Sequence, residues 1–430
     1  MKVGPNAAST QLAFATVTTL FFAWGFITSL IDPLVASVKG VFSLSDFEAQ
    51  LSASAFFIAY GVMSLPAAAL LARCKSVVTV VIALATMIAG CMLMLVAANA
   101  AIYGLVLLGL FILASGITIL QVAANPLAAA LGAPERSHFR LTLSQAFNSL
   151  GTFIGPYLGA ILFLKGVEIE EGQQLDDAVR DAALLGIDAA FLWIAVMIAV
   201  LGAFIWFARG LIIAAMPADA QGPARGSVFT LFGEAVASRW ALLGGGAIFL
   251  YVGAEVAIGT QMALFLNDDA VLGISLEQAG KMVSLYWGGA MIGRLIGSAL
   301  LTRVSATTLL AAFAGAACAV CLFVAVVGGS AAGYAALGIG LFNSIMFPVI
   351  FTLTLERSTA SEEATSGFLC FSIVGGAFVP LLVGLVSGAT SYATAFVVPA
   401  ACYLILLAFG VAARRVAVVR SGGAAAAAGH

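Results

Sequence analysis

Residues 18–38 read "TTLFFAWGFITSLIDPLVASV". The run is long enough to cross the hydrocarbon of a bilayer, yet it carries Asp32 backed directly by Pro33. A carboxylate at that depth costs on the order of 3 kcal/mol on insertion scales. Either the segment lies outside lipid or the carboxyl has a task. Composition decides the first point. The chain is 63% hydrophobic and 9% charged, with a mean hydropathy of +1.13, whereas soluble chains carry about a quarter charged residues. Apolar runs of about 20 residues recur from end to end, each able to span the membrane. The chain is therefore read as an all-α polytopic membrane protein in the lipid bilayer. A β-barrel is excluded because no segment alternates apolar and polar residues.

Twelve spans are predicted, at 12–38, 48–72, 77–98, 103–131, 138–164, 185–208, 240–266, 276–302, 305–328, 332–356, 363–388 and 392–413. Two connections are long, the acidic 165–184 and the 209–239 linker. The second divides the chain into a six-helix bundle at 1–208 and another at 240–415, followed by a low-complexity tail at 416–430. Thirteen of the eighteen basic residues fall on one side of this arrangement. Basic loops stay inside, so both termini and the linker are expected to be cytoplasmic.

Little else in the sequence carries chemistry. Cys318 and Cys321 form a CxxC inside an apolar run with no histidine near, which reads as helix packing. The histidines are His138 and His430. No metal cluster, nucleophile–base set or phosphate loop is visible, so no enzyme, no cofactor and no nucleic-acid partner is expected. No cleavable signal peptide is predicted, because the first apolar segment runs on without a cleavage site.

The halves repeat one another. Asp32 falls on Glu255 in "IFLYVGAEVAIGTQ" at a shift of 223 residues. Gln121 precedes Pro126 by five residues, as Asn343 precedes Pro348, and Gly151 precedes Pro156 as Gly375 precedes Pro380. Spans two and eight open on Ser45-x-x-Glu48 and Ser275-x-x-Gln278, capping-box patterns. Two parallel six-helix repeats with a central site describe a carrier whose halves rock about the midplane.

Polar residues at membrane depth are the candidate site. Asn148 lies about ten residues into span five, near the midplane at 1.5 Å per residue. Gln121, Asn125, Gln145, Asn148 and Asn343 carry amides that both donate to and accept from hydroxyls, although interhelical bridging is the alternative role. Phe22, Trp24, Tyr60, Tyr286 and also Phe147, Trp287 and Phe342 offer flat faces to a sugar ring or pack as core. Gln261 adds a polar group to span seven. Arg294, in the cytoplasmic half of span eight, is expected to snorkel or to pair with Glu356. Asp32 and Glu255 are the proton-coupling candidates. An acid so placed loads a proton from one side and releases it to the other as the bundle rocks.

"FFAWGFITSLID", "ITILQVAANPLAAALG", "HFRLTLSQAFNSLGTFIGPYLGA", "YVGAEVAIG", "YWGGAMIGRLIGSALL" and "FNSIMFPVIFTLTLE" together resemble the fucose and glucose/galactose proton-symporter family of the major facilitator superfamily. The resemblance runs over essentially the whole chain and implies an inner-membrane, proton-coupled importer of a small-molecule sugar, acting as a monomer. Asp32 matches that family's first-helix aspartate, and Gln145 and Asn148 match its polar fifth helix. Gln121 stands where the fucose carriers have a second acid, so the resemblance leans to the glucose/galactose branch. Ile31, where related carriers often have asparagine, and Gln261 point to an altered sugar, such as an N-acetylated hexosamine or a disaccharide. The open alternatives are a sodium-coupled or uncoupled carrier, an exporter, and a non-transporting sugar sensor.

Overall fold

The computed structural model describes residues 7–132, 137–164, 177–216, 228–301 and 303–419. Among them there are helices, turns and bends and no strand. Most of the acidic connection (165–176), the centre of the linker (217–227) and the chain from 420 onward lie outside the described residues. Ten helical stretches are long and apolar enough to cross a membrane. Predicted spans two and eight are also helical, within Asp46–Ala100 and Leu276–Leu301. Serines, glycines and charged residues dilute their hydropathy, and with them the described residues hold twelve helical crossings. Asp46–Ala100 is two helices meeting at Lys75, which leaves helical geometry at φ 62°, ψ 165°.

Helix limits follow the predicted spans closely in the second half, for example Tyr392–Ala413 for the last span. The largest departure is span six, which begins at Asp177 rather than at 185. Its added turns, "DAVRDAAL", are too charged for a hydropathy reading but are good helix formers. Several spans are interrupted. Span one is Ala7–Ser29 followed by Ile31–Val41, and span ten is Gly329–Asn343 followed by Met346–Arg357. The shared cause is proline: Pro33 and Pro348 have no N–H to offer the carbonyls of Ser29 and Ser344 four residues earlier.

The chain separates into two compact units. The first comprises residues 1–45, 55–224 and 275–284. Span one lies along span five, Ser137–Phe163, and Gly155 and Gly159 make this approach possible. A side chain at Gly155 would collide with Ser29 and the Phe26 carbonyl, and one at Gly159 with Pro33 and Leu30. Small residues four apart are the usual route to close helix contact in lipid. The core holds Leu20, Phe21, Ile27, Leu34, Phe56, Leu84, Met87 and Phe163.

The second unit comprises residues 46–54, 225–274 and 285–430. Span seven, Arg239–Asn267, packs against span eleven, whose helices Glu362–Phe371 and Gly375–Ala389 are joined by a 3-10 turn. Gly375 sits on the Phe249 backbone, repeating in this unit the packing of span one on span five. The opening of span two is tied into this unit by polar contacts. Asp46 accepts from Ser387 Oγ at 2.8 Å and Tyr392 OH at 3.0 Å, and Gln50 Oε1 accepts from Thr260 Oγ1 at 2.9 Å. In the first unit, the expected cap at Ser275 is formed, its Oγ accepting from the Gln278 N–H at 3.3 Å.

Outward faces of the spans carry Trp193, Val200, Phe207, Leu295 and Val326 exposed. Apolar exposure on this scale is unfavourable against water and ordinary against acyl chains.

Candidate functional site

In the first unit the break at Leu30 sets the position of Asp32. It stands in the first turn of Ile31–Val41, where N–H groups lack helical acceptors, and it is 4% exposed. Trp24 and Thr28, four residues apart, share one helix face, and Asp32 follows four residues later beyond the break. Tyr60 of span two lies beside Thr28, and Gln121 Nε2 of span four donates to Tyr60 OH at 3.0 Å. Asn125 is one turn beyond Gln121 on the same face, and its Oδ1 is buried without a hydrogen-bond partner. Buried polar atoms are normally satisfied. A hydroxylated ligand would supply the missing partner at Asn125.

Span five contributes Gln145 and Asn148, both partly exposed. Asn148 Nδ2 donates to the Phe21 carbonyl at 3.1 Å, so this amide also ties span five to span one. Phe22 points elsewhere. It stacks on Phe26 and lines an apolar cavity of about 510 Å³ with Phe14, Thr18, Thr19, Leu143 and Phe147.

In the second unit the predicted residues Glu255, Tyr286 and Asn343 come together around the break in span ten. Asn343 is fully buried. Its Nδ2 donates to Tyr286 OH at 2.6 Å, its Oδ1 accepts from Tyr403 OH at 2.7 Å, and its carbonyl accepts from Tyr251 OH at 3.0 Å. Tyr251 OH also lies 2.7 Å from Glu255 Oε1, and Tyr286 OH donates to the Glu255 carbonyl at 3.1 Å. Glu255 itself stays partly exposed. Gln261, six residues further along span seven, is 2% exposed with its Nε2 unpartnered.

Arg294 reaches the break in span ten. Glu356 pairs with Arg357 at 2.9 Å, while Arg294 Nε donates to the Ser344 carbonyl at 3.3 Å. That carbonyl is the one Pro348 leaves without a helical donor, so the guanidinium replaces the missing N–H. It also acts on the Glu255 carboxyl through space.

Sequence reasoning missed Thr28, Tyr251 and Tyr403. For Tyr251 a signal existed, since it precedes Glu255 by four residues and so shares its helix face. Tyr403, more than fifty residues from Asn343 along the chain, offered none.

The major facilitator superfamily family description matches residues 12–368. A glucose/galactose transporter of Brucella abortus biovar 1 (strain 9-941) is 41% identical over 398 residues, covering 93% of both chains. The L-fucose-proton symporter of Escherichia coli (strain K12) is 30% identical over 425 residues, covering 95% of this chain and 94% of that one. Among solved structures, the major facilitator transporter FucP in its outward conformation aligns with a TM-score of 0.69 at 28% identity, covering 94% of this chain and 99% of that one. A bacterial homologue of the lysosomal transporter Spinster also reaches a TM-score of 0.69, at 16% identity, a likeness of fold alone.

Proposed function

Because the chain belongs to the major facilitator superfamily, we propose that it imports a hexose such as glucose or galactose, or a related sugar, by proton symport, with Asp32 as the proton carrier. The observation that carries this reading is the end-to-end likeness to a glucose/galactose transporter at 41% identity. Asp32 supports the coupling half of the reading, being a buried acid at a helix break one turn from the Thr28–Tyr60–Gln121 group. The protein works by alternating access. A proton at Asp32 and a sugar held by Gln121, Asn125, Gln145 and Asn148 enter together, and both leave on the side of lower proton activity. No resident cofactor takes part. The basic-residue bias supports both termini being cytoplasmic, and the end-to-end likeness to a bacterial transporter supports an inner-membrane placement.

Purified protein in vesicles under an imposed inward proton gradient tests the reading. Labelled D-glucose and D-galactose are expected to accumulate, and Asp32→Asn to abolish accumulation while leaving counterflow exchange intact. Accumulation by Asp32→Asn with unchanged pH dependence would remove Asp32 from the mechanism. Accumulation driven by sodium, or none beyond equilibration, would remove proton coupling.

A further inference from the structure

The hydrogen bonds around Asn343 do not close on a count of protons. Tyr403 and Tyr286 each have one hydroxyl proton and one acceptor for it, the Asn343 Oδ1 and the Glu255 carbonyl. Tyr251 also has one proton, yet it faces two acceptors, Glu255 Oε1 at 2.7 Å and the Asn343 carbonyl at 3.0 Å. The arrangement becomes complete when the Glu255 carboxyl itself bears a proton. Its O–H then donates to the Tyr251 oxygen, and the Tyr251 O–H donates to the Asn343 carbonyl. When the proton leaves, the Tyr251 O–H turns to the carboxylate and the Asn343 carbonyl loses that donor.

The carbonyl concerned is at a sensitive place. Asn343 ends the first helix of span ten, where terminal carbonyls have no intrahelical donors. The next carbonyl, Ser344, is held by Arg294 Nε because Pro348 cannot serve it. Tyr251 and Arg294 thus hold the two successive carbonyls of the break from outside. Gly293 allows the approach, since a side chain there would collide with the Leu341 carbonyl and Ser344.

We propose that Tyr251 is a positioning residue that converts the protonation state of Glu255 into the tightness of the break in span ten: protonated Glu255 closes the break, and ionised Glu255 loosens it. The proposal rests on the reading of Glu255 as a proton-coupling residue and adds what that proton acts upon. Among the described residues, the titratable and charged groups facing the carboxyl are Tyr251 on its own helix, Tyr286 and Arg294 on span eight, and Tyr403 on span twelve. Gly375–Ala389 of span eleven contributes none, and the charged residues of Met346–Arg357, Glu356 and Arg357, lie at its far end.

Hydrogen exchange of residues 342–350 in the full-length protein, corrected for intrinsic rates and followed from about pH 5 to about pH 8, reads the break without any sugar. In the wild type these amides are expected to exchange about fivefold faster once Glu255 ionises, the loss of one ordinary hydrogen bond. Glu255→Gln keeps a donor towards Tyr251 and should exchange slowly at all pH values. Tyr251→Phe should exchange fast at all pH values. A flat wild-type profile, or a pH step that survives in either variant, would overturn the proposal. If Tyr251→Phe does not fold, Glu255→Gln decides alone: a lost step supports the coupling and a retained step refutes it. Asp32→Asn should keep the step, so failure of sugar symport and failure of this linkage appear in different measurements.

Discussion

Asn343 makes three hydrogen bonds with tyrosines, donating to Tyr286 and accepting from Tyr403 at its side chain and accepting from Tyr251 at its carbonyl, with no exposed surface. That geometry describes a hub holding spans seven, eight, ten and twelve together. Asn343→Ala should therefore destabilise the protein by about 2–4 kcal/mol, because the Tyr286 and Tyr403 hydroxyls are left buried without it. A thermal melt in detergent checks this, and unchanged stability with weakened sugar binding would return Asn343 to a substrate role. Gln121 is placed differently. Its amide is partly exposed and bound to a single hydroxyl. Gln121→Ala should weaken sugar binding about tenfold, worth about 1.4 kcal/mol, with little change in melting temperature. Substrate competition in vesicles together with the melt separates the two effects.

At the scale of elements, close contact and controlled breaks matter more than helix propensity. Span one reaches span five because Gly155 and Gly159 leave room for Ser29 and Pro33. Gly155→Leu should cost about 1–3 kcal/mol or more through overpacking and suppress transport. Gly246→Ala, where an added methyl meets nothing within 4 Å, should leave both intact. Melting temperature and uptake of the two variants compare directly. The proline interruptions were legible in the sequence as positions, Pro33 and Pro348. What was not legible is which groups replace the lost helical donors. That depends on Arg294 and Tyr251, both many residues from Asn343 and Ser344 along the chain.

For the whole molecule, hydrophobic content and run length sufficed to read the class, and the twelve crossings are found as helices. The orientation has its own test. An impermeant thiol reagent on intact cells should label a cysteine introduced at 165–176, and one introduced at 217–227 only after permeabilisation, both in a background free of the native cysteines. The reverse pattern would invert the protein in the membrane. Within each unit the pairing of spans one with five and seven with eleven follows the repeat seen in the sequence, Gly151 matching Gly375.

The sequence by itself determined the membrane class, the places of the spans, the internal repeat and the acids at membrane depth. Each of these depends on local composition or on spacing, which the unfolded chain already possesses. Only the tertiary structure decided what each polar side chain faces. It bound Asn343 among three tyrosines, turned Phe22 to an apolar cavity and sent Arg294 to the Ser344 carbonyl. A buried polar group must take its partner from whichever helix lies beside it. Helix neighbours are a property of packing rather than of sequence distance.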